Sequence, residues 1–336
     1  MFGKKPTLAI QRDDLISEVV TSFSGSNPST QLFIFIGARG AGKTVLLTEL
    51  YKYYEQKKDW IVVDVNPHRD ILEEMASQIY EKGKLKNLFL HGTFDFSFHG
   101  LSFHLEGKNP VSSVFSIVEK MLSYLKKHGM KLLLTLDEVN KSKEIKAFAH
   151  DFQSLVRLDY PIYLLMTGLY ENVSSLQNDK SLTFLYRSPK ILLSPLDKKS
   201  IKKSYQDVLS VNEDTANRLA ELSMGYGFGY QLLGYLYYNF REVDDKLLFE
   251  YDRALRVNAY DKIYAGLSEN ERKILNFLCK NKETKISNLM AETGFDNKNV
   301  SVYRERLLMK GVITSPKRGC LSLALPRFKE FLEEMN

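Results

Sequence analysis

The sequence predicts an α/β protein in three parts: a parallel sheet between helices, an all-helical segment, and a C-terminal unit of helices closed by a hairpin. Continuous apolar runs alternate with helical patterns up to about Pro195, which indicates strands covered on both faces. No strand-like run interrupts Leu196 to Lys262. From Ser268 onward, helix-cap signals are followed by two short strand-like runs. The boundaries expected are therefore 1–195, 196–262 and 263–336.

The strand candidates of the first part are Leu32–Ile36, Trp60–Val65, Leu132–Leu136 and Ile162–Thr167. Phe94 to Leu105 breaks their rhythm with strict alternation around Gly100, so a β-hairpin insertion is expected at about 91–107. That insertion reads either as a flap packed on its own domain or as an arm that touches a partner. His91, His99 and His104 lack metal-ligand spacing. In the helical segment Asp197 and Asn212 are placed as N-caps, and Met224–Gly229 is a glycine-broken turn before a further helix.

Composition sets limits. Of 336 residues, 44% are hydrophobic and 26% charged, ordinary for a globular chain, and no apolar run is long enough to span a bilayer. A cytoplasmic protein with no membrane partner is expected, with Cys279 and Cys320 as free thiols. The net charge of +6 is uneven: residues 262–336 hold 14 Lys/Arg and 9 Asp/Glu, which is +5 of it. A local basic excess attracts polyanions, although a solvated surface has the same composition.

Gly37-Ala38-Arg39-Gly40-Ala41-Gly42-Lys43-Thr44 fits G-x-x-x-x-G-K-[ST] between an apolar strand and a helix, the context in which backbone N–H groups cradle phosphates. Lys43 supplies a cation to the β- and γ-phosphates of ATP, and Thr44 a hydroxyl to Mg²⁺. Leu132–Leu136 leads into Asp137-Glu138, a metal carboxylate followed by a candidate general base. A helix cap is the plain alternative for that pair. Thr167, at the next strand end, reads as a γ-phosphate or water contact, or as a turn with Gly168. Arg187 reads as a transition-state cation, acting in cis or on a neighbour, or as a surface arginine. The catalytic set expected is thus Lys43, Asp137, Glu138, Thr167 and Arg187.

In the tail, Ser268-Glu269-Asn270-Glu271 is a capping box, Ile286–Thr293 a short helix ending at Gly294, and Asp296 the cap of a third helix. Val312–Thr314 and Leu321–Leu323 then flank a turn at Ser315–Gly319. This is the order of a winged helix. Its third helix offers Lys298, Asn299, Ser301 and Arg304 to double-stranded DNA, and the wing tip offers Lys317 and Arg318. A winged helix used for protein contact is the rival reading.

These motifs together resemble the AAA+-related P-loop ATPases of the Orc1/Cdc6-like and archaeal/STAND groups over nearly the whole chain. Gln11–Ile16 resembles the element bordering the adenine pocket, with Gln11 in place of glycine. Thr167-Gly168 resembles sensor 1, and Arg187 with Ile191–Leu196 resembles the arginine before the lid. Gly225–Gly234 resembles the lid segment, with Phe228 in place of proline and no sensor-2 arginine. The resemblance implies that nucleotide (ATP or ADP) is lined by Arg12, Val45, Tyr230 and Gln231 besides the P-loop. It implies an ATP-hydrolysing switch that moves the winged helix. The alternatives are a signalling switch with a protein partner or self-association, and a nucleotide-binding transcription regulator with little turnover.

Overall fold

The structure is a computed structural model and describes residues 10–25, 28–82, 95–98, 101–104, 113–179, 182–281 and 284–335. Its centre is a five-stranded, all-parallel sheet. The strands are β1 (Leu32–Ile36), β2 (Trp60–Asp64), β5 (Lys131–Leu136), β6 (Ile162–Gly168) and β7 (Lys190–Leu192), in the order β2-β5-β6-β1-β7. Adjacent side chains point to opposite faces, and both faces are covered. Ile34, Leu134 and Leu164 pack against the helices 71–81, 114–127 and 143–157, while Phe33, Leu133 and Leu165 pack against the helices 13–24 and 43–55. The unbroken apolar runs follow from this double burial.

Because the strands are parallel, their C-terminal ends lie on one edge. Leu136 pairs with Met166, and Phe35 with Thr167, so the residues after β1, β5 and β6 come side by side. The hairpin insertion is present as β3 (Asp95–Phe98) and β4 (Leu101–His104), antiparallel with Phe98 opposite Leu101. The remainder of the stretch 91–107, with His91 and His99, lies outside the described residues.

Beyond β7 come helices 198–209, 213–223, 227–240 and 245–255, the last continuing through a π turn (256–260) to Ala265. Asp197 and Asn212 do cap the first two, accepting from Ser200 N and Thr215 N. The C-terminal part has helices 269–280, 286–293, 297–309 and 328–335 around a three-stranded antiparallel sheet. The capping box forms: Ser268 N donates to Glu271 Oε2 and Glu271 N to Ser268 Oγ. Gly294 ends its helix at φ 69°, and Asp296 accepts from Asn299 N. Among the strands β7 and Thr284–Lys285 were not expected, and neither was the last helix.

The helical segment and the C-terminal part share one core, which crosses the boundary expected at 262. Tyr251, Leu255 and Tyr260 cluster with Leu325, Phe328 and Leu332. Arg327 makes a two-pronged contact with Asp252 (2.7 and 2.5 Å), and Tyr260 donates to Pro326 O. Ala38, from the loop after β1, is buried in this same core. Both cysteines are free, Cys279 buried and Cys320 half-buried. Among the described residues no helix is long and apolar enough to cross a membrane.

Candidate nucleotide site

The loop Gly37–Gly42 leaves β1 and enters the helix Lys43–Glu55. The Lys43 ammonium is buried and donates to Gly37 O (3.0 Å) and Ala38 O (2.9 Å). Burial lowers its pKa to about 8, against the opposing pull of Asp137 and Glu138. The cation is thus held inside its own loop and is costly to keep charged without an anionic partner.

Thr44 Oγ1 donates to Asp137 Oδ2 at 2.8 Å. The other carboxylate oxygen, Oδ1, accepts from Thr167 Oγ1 and, at 3.1 Å, from Glu138 N. Glu138 N also reaches Thr167 Oγ1 at 3.0 Å. Thr167 is fully buried, so its hydroxyl is directed at Asp137 and Glu138 rather than into the open cleft. The two strand-end residues therefore lock the carboxylate with Oδ2 facing Thr44. Glu138 itself sits at φ 56°, an unfavourable backbone for a non-glycine residue, with an exposed side chain.

The donor set fits Mg²⁺. A hydroxyl and a carboxylate oxygen stand 2.8 Å apart. Two neighbouring ligands of an octahedral ion with bonds of 2.0–2.1 Å lie about 2.9 Å apart. Hard oxygen donors of this kind suit that ion.

On one flank of the loop is a narrow cleft between the loop, the helix 43–55 and the helix 227–240. It gathers Arg12, Val45, Tyr230 and Gln231 with Ala41 and Gly42, residues far apart in sequence. Arg12 donates to Ala41 O (3.2 Å). Tyr230 is nearly fully buried, and its hydroxyl pairs with Ser204 at 2.5 Å, so it presents its ring rather than its oxygen. Ile10, Glu49 and Leu196 complete the walls. Sequence reasoning missed these, because a lone apolar or acidic residue carries no motif.

On the other flank a second, wider cleft brings Gly37, Ala38 and Arg39 against Glu171 and the C-terminal Lys310. Lys310 bridges Glu171 (3.1 Å) and Glu271 (3.0 Å) and donates to Gly266 O (3.1 Å). Its side chain is 10% exposed, that of Glu271 2% and that of Glu171 46%. The next residue, Gly311, has φ 68°, and a Cβ placed there would stand 3.3 Å from Ala38 Cβ. None of these contacts was legible in the sequence.

The helix 227–240 also touches the loop. Tyr226 Oη donates to Arg39 O (2.5 Å), and Phe228 N to Gly40 O (2.9 Å). Phe228, the departure from the lid pattern, thus has a use for an N–H that proline lacks. Arg187 ends the short helix Thr183–Arg187, exposed, and lines neither cleft. In the C-terminal part Val300 and Leu307 face the core, while Lys298, Asn299 and Ser301 are exposed and Arg304 is half-buried. Lys317 and Arg318 are exposed at the tip between the last two strands.

A family described as a domain of unknown function (DUF8462) matches residues 257–332. No curated protein matches the chain. Among solved structures, the ORC2 protein of Aeropyrum pernix in its ADPNP–ADP complexes aligns with a TM-score of 0.58 at 13% identity, over 100% of this chain and 96% of that one. Its ADP form gives 0.53 at 13% identity with the same coverage. Cdc6p of Pyrobaculum aerophilum gives 0.49 at 16% identity, again over 100% and 96%. The chain therefore shares the fold of the two ORC2 structures, here a parallel five-stranded sheet flanked by helices with a helical C-terminal region.

Proposed function

We propose that this chain is a Mg²⁺-dependent ATPase whose nucleotide state repositions a C-terminal winged helix that binds double-stranded DNA. The observation that carries the reading is the cluster Thr44–Asp137–Thr167–Glu138 beside the Lys43 loop. Thr44 and Asp137 would hold the metal, which when bound neutralises charge on the phosphates. Lys43 would turn from Gly37 O and Ala38 O to the β- and γ-phosphates, regaining an anionic partner. Glu138 would take the proton of the attacking water, and Thr167 would keep Asp137 oriented. Arg12, Val45, Tyr230 and Gln231 would line the base and ribose. Arg187, remote from both clefts, would serve the site of a second copy. That the similar ORC2 protein is found with ADPNP and ADP supports the nucleotide class.

The switch would act on one body rather than two, since the lid (196–262) and the winged helix (263–336) share a core. Ala38–Gly311 and Glu171–Lys310 are their docking contacts beside the phosphates. Charge arriving there would shift that docking. Lys298, Asn299, Ser301, Arg304, Lys317 and Arg318 would meet DNA. The exposed Tyr235, Tyr238 and Phe249 on the lid favour a second reading, a switch with a protein partner.

ATP turnover with and without duplex DNA, for wild type, Lys43→Ala and Glu138→Gln, tests this. Turnover raised by DNA and lost in both variants is expected. Absence of turnover, or turnover indifferent to both substitutions, contradicts it. Turnover without any DNA affinity favours the protein-partner reading.

A further inference from the structure

The phosphate loop is gripped from behind by the lid. A trans peptide unit points its C=O and its N–H in opposite directions. The carbonyl of Arg39 and the N–H of Gly40 are the two ends of one such unit. The carbonyl accepts the Tyr226 hydroxyl (2.5 Å). The next unit is held at both ends: Gly40 O accepts Phe228 N (2.9 Å), and Ala41 N donates to Ala38 O (3.1 Å). Gly40 itself has φ 79°, and a Cβ there would lie 2.4 Å from the Tyr226 oxygen, so only glycine admits this approach. The lid helix Gly227–Phe240 has no side-chain N-cap, and one of its first free N–H groups is satisfied by the loop carbonyl. Tyr226 is buried in the core that joins the lid to the C-terminal part, so its ring has little freedom to follow a wandering loop.

We propose that Tyr226 and Phe228 are positioning residues for phosphate binding: from the lid they fix the peptide planes of residues 39–41, so that Gly40 N–H faces the phosphates before nucleotide arrives. The inference rests on the reading of Gly37–Thr44 as a phosphate-binding loop. It adds a direct hydrogen-bonded link from that loop to the lid segment. A phosphate accepting from Gly40 N–H polarises the same peptide unit and strengthens the Tyr226 bond on its far side. Phosphate binding and lid docking are therefore coupled through one peptide plane, and each favours the other.

The test is titration calorimetry of the full chain with Mg·ATP and Mg·ADP, together with displacement of a fluorescent ADP by adenosine, for wild type, Tyr226→Phe and Phe228→Pro. Tyr226→Phe keeps the ring and removes one hydrogen bond. It should weaken ATP and ADP by about tenfold. Adenosine affinity and the melting temperature without nucleotide should be unchanged. Hydrogen exchange of residues 226–240 should slow on ADP binding in wild type and much less in Tyr226→Phe. If Tyr226→Phe lowers the melting temperature, Phe228→Pro carries the same comparison at the other tether. Wild-type phosphate affinity in both variants overturns the proposal while leaving the nucleotide site intact. A parallel loss of adenosine affinity overturns it too, because the lid would then hold the base and not the phosphates. Failure of wild type to bind ATP or ADP overturns the reading of the site itself, and the inference with it.

Discussion

The two flanks of the phosphate loop are built in different ways. On the Arg12 side, the cleft is walled by residues that sit inside recognisable motifs: Val45 follows the loop, and Tyr230 and Gln231 belong to the lid segment. On the Arg39 side, the wall includes Glu171 and Lys310, which belong to no motif and meet only because the C-terminal part is folded back onto the sheet edge, with Gly311 approaching Ala38 next to them. The first flank is a narrow pocket between the helix 43–55 and the helix 227–240. The second is an interface, held by one ion bridge and one close backbone approach. The comparison teaches that both flanks join the sheet domain to the lid and C-terminal body, the first through motif residues and the second through an ion bridge, so substitutions at the second disturb the docking without touching the expected nucleotide pocket.

The largest expected effect is on chemistry between the flanks. Glu138→Gln should lower turnover by about a hundredfold to ten-thousandfold with ATP affinity retained. Single-turnover kinetics beside a binding titration would check it, and a small loss would remove Glu138 from the role of base.

The next tests break the Arg39 flank at its two ends. Lys310→Ala leaves Glu271, 2% exposed, buried without its cation and should cost about 3 kcal/mol by urea unfolding. Glu171→Gln touches a half-exposed carboxylate and should cost under about 1 kcal/mol, while loosening the docking. Equal costs would mean that Lys310 is held by Glu171 rather than by its own domain.

A smaller effect follows from Lys43, whose pKa is lowered by burial to about 8. Between pH 7 and 9 the charged fraction falls about tenfold, and ATP affinity should fall with it, while Lys43→Ala should be flat over that range. The sign for stability is the reverse. The unfolded lysine keeps its proton up to its ordinary value of 10.5. The cost of burying the charge is therefore present below about pH 8 and relieved between there and 10.5, where stability rises with pH.

The smallest effect is at Gly311. Alanine there meets φ 68° and a 3.3 Å approach to Ala38 and should cost about 1 kcal/mol of docking or stability. Chemical denaturation would measure it.

How much of this was legible follows from how local each signal is. The parallel sheet was readable because double burial writes itself as unbroken apolar runs such as Leu32–Ile36. The approach of Thr44 to Asp137 was readable because each sits at a fixed step from a motif, and parallel pairing then brings their strand ends together. The helix caps were readable because Asp197, Asn212, Ser268 and Asp296 act within three residues of themselves. Thr167 was half readable: its strand end was placed, but its hydroxyl turns to Asp137. The fused core of lid and tail was not legible, since Tyr260 with Phe328 is a pairing of ordinary apolar residues across a long stretch of chain. The contacts of Tyr226 with Arg39 O and of Lys310 with Glu171 were hidden because each joins residues more than a hundred positions apart.

The central claim is that phosphate at the Lys43 loop governs how the lid and C-terminal part dock on the sheet. A pair of spin labels tests it most directly, one at Gln56 on the sheet domain and one at Asn297 on the C-terminal part, in a chain with Cys279 and Cys320 replaced by serine. Distances measured by double electron–electron resonance should be narrowly distributed without nucleotide, and should shift with Mg·ATP in the Glu138→Gln background. A second pair within the fused body, at Asp245 and Asn297, should not move. Identical Gln56–Asn297 distances in the apo, ADP and ATP states would contradict the account.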